Sequence, residues 1–285
     1  MSERWPGNTR CVVTLSFDID GVSSYLFRNR EFARFPSLMS MAEFGPSVAV
    51  PRILDLLDGR GVHASFFIPG YVAETHPDMV REIADRGHEV GHHGYLHEPP
   101  ANLTPVEEAR ALDRGTEIIL GLTGAAPRGY RSPSWELSKD SLEFLAERGF
   151  IYDSSLMGDV MPYWVDAGAG LQLVELPIHW EWDDFPYFGF APAVGARNAP
   201  SDPEVPFNVW KAGFDAIHET GEALTLTMHP HQIGRPARLA MLDRLIEYMQ
   251  TRSDVAFMRC EDVASWVADG TVSVPMRNPL RPEMD

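Results

Sequence analysis

Two histidines four residues apart, His93 and His97, lie in the segment His-Gly-Tyr-Leu-His, shortly after a Gly-His-Glu-Val-Gly run. Imidazoles at this spacing would share one face of a helical turn and could bind a single metal ion. Upstream, Asp18 and Asp20 lie at the end of an apolar run that predicts a strand. A carboxylate from that strand end would complete a three-ligand site with room for water, as metal-assisted hydrolysis requires.

The two aspartates could divide the work of such a site. Hydrolysis needs one group that binds the ion and another that takes a proton from the attacking water. Because residues two apart on an extended strand face the same side, Asp18 and Asp20 could both reach the site. The alternative is a pair of turn carboxylates, since Asp-x-Asp-Gly is also common in turns.

Arg131 and His229 could complete an acid–base set. Arg131 precedes Ser132-Pro133, where the proline restricts the backbone, and its guanidinium beside a catalytic carboxylate would keep that carboxylate ionised. A solvated loop arginine is the alternative. His229 follows the apolar run Leu226-Thr227-Met228. Its near-neutral reference pKa suits protonation of a leaving amine.

Aromatic and acidic residues further along the chain are candidates for binding substrate. They are Trp135, Trp180, Trp182, Asp153 and Asp183. Aromatic residues at this density are more typical of a core or a subunit interface than of a ligand site, so that alternative stays open.

Strand-like runs alternate with amphipathic helices, which is the pattern of a parallel sheet. The predicted strands are 11–17, 63–68, 223–228 and 255–258, and the predicted helices are 46–58, 77–86, 105–122, a helix between Ser138 and Gly149, and a last helix over 236–249. Thr104-Pro105-Val106-Glu107 forms a capping box. We expect one α/β domain over residues 1–285, a distorted (β/α) barrel with a core of about 11–268 and a C-terminal tail, 269–285. Its site should gather at the carboxyl ends of the strands.

Composition excludes several partners. The formal net charge is −17, with 24 basic and 41 acidic side chains, which argues against nucleic acid because polyanion binding needs a basic stripe. The chain has no apolar run of 18 residues, and its N-terminus lacks a basic and apolar leader pattern, so neither membrane insertion nor secretion is expected. Cys11 and Cys260 are the two cysteines. A cytoplasmic protein without a disulfide is the prediction.

The ordered motifs resemble the polysaccharide deacetylase family, which shares its fold with chitooligosaccharide and peptidoglycan deacetylases and with allantoinase-like and cyclic imide hydrolases. The resemblance covers about residues 12–231. Its landmarks are Ser16–Gly21, His93–His97, Arg131–Pro133, an acidic aromatic stretch, and Leu226–Pro230. The resemblance implies a partial (β/α) barrel that binds zinc or a similar divalent ion.

The resemblance also implies a role for each site residue. By analogy Asp18 is the general base, Asp20, His93 and His97 are the metal ligands, Arg131 is the partner of the base, and His229 is the general acid. Two points stay open. Family members usually carry adjacent aspartates, whereas Ile19 separates them here, so the two roles could be exchanged. The fourth landmark is either Tyr152–Ser154 or His179–Asp184, so the carboxylate that orients His229 is undetermined.

All branches of the family hydrolyse amide C–N bonds. Because no leader is expected, a small cyclic imide, ureide or related amide is the first substrate hypothesis, and N-deacetylation of an N-acetylated sugar or peptidoglycan-type oligosaccharide is the alternative. The length of the 21–45 segment and the aromatic stretch resemble the intracellular subgroup, which implies a homo-oligomer, often a tetramer. A non-catalytic carbohydrate-binding module is less favoured, because the acid–base set is complete. A purely structural metal site is also less favoured, because such a site normally has four protein ligands, often cysteines, and both cysteines lie far from the histidine pair in the sequence.

Overall fold

The computed structural model describes residues 4–195 and 199–278, and within them ten strands form one sheet. The strands are β1 (Cys11–Asp18), β2 (Ser65–Ile68), β3 (Glu89–His92), β4 (Gly129–Tyr130), β5 (Tyr152–Asp153), β6 (Tyr163–Gly168), β7 (Leu171–Glu175), β8 (Ala223–Met228), β9 (Val255–Phe257) and β10 (Met276–Arg277). Their order is β10-β6-β7-β5-β4-β3-β2-β1-β8, with β9 beside β1. All pairs are parallel except the β6–β7 hairpin.

Strand β1 is second from one end of this order and pairs with three other strands. Every one of its eight residues is buried, as expected for a continuous apolar run inside a parallel sheet. Along one edge it pairs with β8, and along the other it pairs first with β9 and then, through Ser16–Asp18, with β2. The fixed register of β1 therefore sets where Asp18 emerges from the sheet.

Twelve α-helices in the described residues cover or flank the sheet. They are α1 (Ser23–Leu26), α2 (Pro36–Phe44), α3 (Val50–Arg60), α4 (Gly70–Thr75), α5 (Pro77–Asp85), α6 (Pro105–Thr123), α7 (Ser141–Glu147), α8 (Phe185–Phe188), α9 (Glu204–Thr220), α10 (Pro230–Ile233), α11 (Pro236–Gln250) and α12 (Cys260–Ala268). A π-helical turn, Gly45–Ala49, precedes α3, and short 3₁₀ helices occur at Arg30–Arg34, Pro100–Asn102, Pro133–Trp135, Trp180–Trp182 and Pro192–Val194. No helix in the described ranges is long and apolar enough to cross a membrane.

The capping box predicted at the start of α6 is present. The Thr104 side chain accepts a hydrogen bond from the Glu107 backbone, and the Glu107 carboxylate accepts one from the Thr104 backbone N–H at 2.9 Å. At the other end of α6, Gly124 has a φ of 77°, the left-handed conformation that glycine adopts readily at a helix C-terminus.

The predicted α/β fold with a mostly parallel sheet is confirmed, but several elements were not predicted. Strands β3 to β7 were not predicted, because they are short or carry few apolar residues. Helices α9 and α12 were also missed, so the predicted helix over 236–249 is not the last helix. In the described residues no pairing joins β8 to β10, so the barrel is incomplete. Within the predicted tail, β10 pairs with β6, and residues 279–285 lie outside the described residues. Cys11 and Cys260 are both free and buried.

Substitution of Gly129 by alanine should destabilise the protein. A Cβ atom at Gly129 would lie 1.9 Å from the ring carbon Cζ of Tyr152 on the adjacent strand. Because both residues are buried in the sheet, we expect a loss of at least about 3 kcal/mol in the free energy of unfolding, measured by denaturant titration. Gly121→Ala is the control, since nothing lies within 4 Å of its Cβ position in α6. It should stabilise by about 0.5–1 kcal/mol; equal effects of the two substitutions would contradict the packing described.

Candidate active site

The candidate active site lies where four parallel strands end. Asp18 is the last residue of β1, and His93, Arg131 and His229 directly follow β3, β4 and β8. These strands share one direction, so their carboxyl ends meet at one edge of the sheet. All four side chains are at most 8% exposed. The predicted position of the site is therefore the observed one.

Three buried side chains converge on one point. The Oδ1 atom of Asp20 lies 3.5 Å from His93 Nε2 and 3.4 Å from His97 Nε2. The Nδ1 atom of His93 lies 2.7 Å from the backbone oxygen of Arg131. Because a carbonyl only accepts hydrogen bonds, Nδ1 carries the proton, which leaves Nε2 of His93 with a free lone pair toward Asp20.

The local structure of the histidine pair differs from the helical turn predicted from its spacing. Residues 93–97 form a loop after β3, in which Gly94 has a φ of 70° and His97 a φ of 63°. These left-handed conformations fold the loop back, so the imidazoles meet with ring centroids 5.0 Å apart. The left-handed conformation is strained for histidine, and the Phe27 ring packs on His97 at 5.4 Å.

His92, the neighbour of His93 in the sequence, points away from the site. Its Nε2 atom donates to the backbone oxygen of Leu112 at 3.1 Å, and the backbone N–H of Gly94 donates to its Nδ1 atom. Burial lowers the pKa of His92 to about 3. It is a neutral, fully hydrogen-bonded residue that packs β3 against α6.

Asp20, His93 and His97 fit a divalent metal ion. The Oδ1 atom of Asp20 is buried and has no hydrogen-bond partner among the described residues. Bonds of about 2.0–2.1 Å in tetrahedral coordination place two ligand atoms about 3.3 Å apart, close to the separations found here. Burial would raise the pKa of Asp20, but the His97 and His93 imidazoles lower it well below its usual value.

Asp18 is held by a buried arginine instead. The Nη1 atom of Arg131 donates to Asp18 Oδ1 at 2.9 Å and to the Ser16 hydroxyl oxygen at 2.8 Å. Asp18 Oδ2 lies 4.0 Å from His93 Nε2, farther than Asp20 does. Of the two aspartates, Asp20 thus lies closer to the histidine pair, and Asp18 lies beside the pair but is bound to Arg131.

A second cluster on the opposite wall contains His229 and two adjacent carboxyl groups. Nδ1 of His229 donates to Asp184 Oδ1 at 2.7 Å, and the backbone N–H of His229 also donates to Asp184. Asp183 Oδ1 lies 3.6 Å from the same Nδ1. An isolated parallel bridge between Asp183 and Thr227 places both carboxyl groups beside the end of β8. This resolves the fourth landmark in favour of 179–184.

Burial and mutual proximity shift the ionisation of this cluster. Burial raises the pKa of Asp183 to about 8 and also raises that of Asp184, while His229 opposes both shifts. For His229, burial would lower the pKa, but Asp183 and Asp184 raise it well above its usual value. Because Asp184 accepts three hydrogen bonds from His229, we assign the ionised carboxylate to Asp184 and the retained proton to Asp183. The candidate metal-binding atoms of the Asp183–Asp184–His229 cluster are thus engaged in hydrogen bonds, unlike those of the Asp20–His93–His97 group.

The two clusters face one cavity of about 260 Å³. Its lining includes Asp18, Asp20, His93, His97, Asp183 and His229 together with Tyr25, Arg28, Trp135, Trp180, Phe185 and Phe190. Trp135 and Trp180 stack with ring centroids 4.0 Å apart. Ser134 and Trp135 both have a φ near 60°, a strained conformation that costs about 1–3 kcal/mol per residue and concentrates at functional sites.

Two of the predicted substrate-binding residues do not line the cavity. Trp182 packs on the core, and its Nε1 atom approaches Gly213 of α9; the 3₁₀ turn that contains Trp180 directs the two rings to different sides. Asp153 is buried in β5, where it accepts a hydrogen bond from Ser155 Oγ at 2.8 Å. Trp135, Trp180 and Asp183 do line it, as predicted.

Asp184 was missing from the predicted site. The sequence did indicate two candidates, because Asp183 and Asp184 are adjacent at the end of the acidic aromatic stretch. Which of them binds His229 depends on the bridge to Thr227. Tyr25 and Arg28 were also missed, since neither is part of a motif.

Comparison with known proteins identifies relatives of the whole chain. The family model for polysaccharide deacetylases matches residues 35–152. A peptidoglycan deacetylase of Helicobacter pylori is 31% identical, over 89% of this chain and 94% of the relative. A crystal structure from Mycobacterium smegmatis, provisionally named a polysaccharide deacetylase, is 38% identical with a TM-score of 0.93 over 98% of this chain and 97% of that one. The crystal structure of PuuE allantoinase is 25% identical with a TM-score of 0.83, over 95% of both chains.

These relatives span almost the full chain, and the site geometry agrees with their shared chemistry. The chain therefore belongs to the polysaccharide deacetylase family, and it is a hydrolase that acts on carbon–nitrogen bonds other than peptide bonds.

Proposed function

We propose that this protein is a metal-dependent N-deacetylase of an N-acetylated sugar of the peptidoglycan type. The observation that carries the proposal is the meeting of the Asp20–His93–His97 group, the Asp18–Arg131 pair and the Asp184–His229 pair in one cavity. The name of the Helicobacter pylori relative supports the sugar substrate. This similarity favours sugar N-deacetylation, the alternative in the sequence analysis, over hydrolysis of a small cyclic imide, the first hypothesis there.

In this proposal Asp20, His93 and His97 hold the ion. When bound, a divalent metal polarises the amide carbonyl and lowers the pKa of water. The ligand-atom separations of 3.4 and 3.5 Å favour zinc, because they match tetrahedral coordination by nitrogen and oxygen.

The remaining residues move protons. Asp18 accepts the proton of the attacking water through Oδ2, because Oδ1 is engaged by Arg131. His229 uses Nδ1 to bind Asp184, which leaves Nε2 to donate a proton to the leaving nitrogen. The carboxyl groups that raise the pKa of His229 keep it protonated for that step.

A second candidate function is the opening of a small cyclic ureide or imide. It is supported by the similarity to PuuE allantoinase and by the cavity volume of about 260 Å³, below the roughly 300–1,000 Å³ of drug-sized pockets. The cavity would accept one ring-sized group in either case. The cytoplasmic location and the homo-oligomer expected from the sequence stay proposals.

Exchange of each aspartate for asparagine should separate the two proposed roles. Asp20→Asn removes a ligand charge, so we expect loss of both bound metal and activity. Asp18→Asn should retain near wild-type metal content but lower kcat by about 10²–10⁴-fold, the usual contribution of a general base. Metal content is measured by atomic spectrometry after gel filtration, and kcat by acetate release. Metal loss in Asp18→Asn with metal retained in Asp20→Asn would show that the roles are exchanged.

The alkaline limb of the pH profile should depend on Asp184. Its carboxylate helps to raise the pKa of His229, so Asp184→Asn should lower that pKa. The protonated acid form is then lost at a lower pH, and the alkaline limb of kcat/KM should move toward lower pH by about one unit or more. Asp166→Asn, on β6 outside the cavity, is the control. An unchanged alkaline limb in Asp184→Asn would remove His229 as the titrating acid.

The substrate test uses metal-stripped and zinc-restored protein. We expect the zinc-restored protein to release acetate from an N-acetylglucosamine oligomer, and the metal-stripped protein to release none above background. Succinimide and allantoin are tested in parallel by ring opening. Hydrolysis of these cyclic compounds without acetate release would replace the proposed function with the second candidate.

A further inference from the structure

One wall of the cavity carries a single cation. Of the described residues that line it, Arg28 is the one arginine or lysine. It follows α1, within eight residues of Asp20, and its backbone N–H donates to the Tyr25 backbone oxygen at 3.1 Å. In a chain with a net charge of −17, a cation at the active site requires an explanation.

Arg28 is not needed to balance the carboxylates of the cavity. Asp18 is paired with Arg131 at 2.9 Å, and Asp184 is paired with His229 at 2.7 Å. Asp20 lies between two histidines and has its own proposed cation, the metal ion. Each carboxylate therefore has a cationic partner without Arg28.

Arg28 itself has no anionic partner. No carboxylate among the described residues forms an ion pair with it, and its guanidinium is exposed and lies 5.4 Å from the ring of Phe27. Phe27 in turn packs on the proposed metal ligand His97. The guanidinium thus lies beside Phe27, near His97, and its N–H groups form no hydrogen bond with a described residue.

Tyr25 places a second donor on the same wall. It precedes Arg28 by three residues, a spacing that puts two side chains on one face of a helical turn, and its side chain lines the cavity although only 6% of the residue is exposed. Its hydroxyl forms no hydrogen bond with a described residue. Burial and the nearby Asp20 raise the pKa of Tyr25 to about 12, so the hydroxyl keeps its proton and can donate it.

We propose that Arg28 and Tyr25 bind a carboxylate on the substrate, so that the preferred substrate is an N-acetylated sugar whose ring also bears an acidic substituent. This inference rests on the proposed deacetylase function and names its substrate class. A guanidinium offers paired N–H donors that match the two oxygens of a carboxylate, and the phenol adds a further donor. An N-acetylated sugar without an acidic substituent would leave the guanidinium without an anionic partner.

The test compares two substrates that differ in one charge and one methyl group. N-acetylmuramic acid carries a carboxylate on a lactyl ether of the sugar ring, and its methyl ester removes that charge. The readout is the ratio of kcat/KM for the acid to kcat/KM for the ester, with zinc-restored protein. The variants are Arg28→Ala, Arg28→Lys and Tyr25→Phe. Arg30→Ala is the matched control, because Arg30 is an exposed arginine two residues along that does not line the cavity.

We expect the wild-type ratio to exceed ten and to fall at high salt, because the guanidinium is exposed to solvent. Arg28→Ala should reduce the ratio at least tenfold, mainly through KM for the acid. Arg28→Lys should restore part of it, and Tyr25→Phe should reduce it less. Arg30→Ala should leave the ratio unchanged. Equal changes for acid and ester in Arg28→Ala, or a wild-type ratio near one, would overturn the proposal.

A binding measurement keeps this result separate from the proposed function. If the wild-type protein hydrolyses no N-acetylated sugar, the proposed function fails, and calorimetry of the acid and the ester still tests Arg28. Binding of the acid that is at least tenfold tighter than that of the ester, and is lost in Arg28→Ala but not in Arg30→Ala, supports the carboxylate site. Equal affinities would overturn it.

Discussion

The buried ion pair between Arg131 and Asp18 is the interaction on which the rest of the site depends. The guanidinium is fully buried, packs over the Phe67 ring at 4.2 Å, and donates to Asp18, Ser16 and Ser154. It thereby ties the ends of β1, β2, β4 and β5 together. Removal of either partner of a buried pair leaves an uncompensated charge and costs about 3–5 kcal/mol. A slip of β1 relative to β4 would break this pair.

The carboxyl groups around the cavity differ in ionisation because their environments differ. Asp18 is paired with a permanently charged guanidinium, whereas Asp183 and Asp184 are buried beside a single histidine. Two carboxyl groups so close together cannot both ionise at low cost, so one retains a proton and the imidazole gains one. Carboxyl groups beside one cavity are thereby held in different protonation states.

Much of this could be predicted from the sequence, and the misses have physical reasons. Strand β8 and the capping box of α6 were predicted because their signals are local. The convergence of Asp20, His93 and His97 was predicted too, although through a helical turn that does not exist, because the left-handed conformation at His97 has no sequence signal. Asp184 could not be distinguished from Asp183, since the distinction lies in a contact with Thr227 some 40 residues away. Arg28 was missed because it belongs to no motif, and its position in the cavity lining is visible only in the structure.

The two sides of the cavity differ in how they are built. The side that contains Asp18 and Asp20 emerges from β1, a strand paired along both edges, and strands paired in this way exchange their amide hydrogens most slowly. The opposite side contains His229, which follows β8, and a segment of one-turn helices and 3₁₀ turns around Trp180, Phe185 and Pro192 that an isolated bridge from Asp183 to Thr227 joins to the sheet. Insertions and substitutions are tolerated best in such segments. Such a fold can vary this segment in evolution while the side chains at the strand ends keep their places, as expected when similar chains include a peptidoglycan deacetylase and an allantoinase.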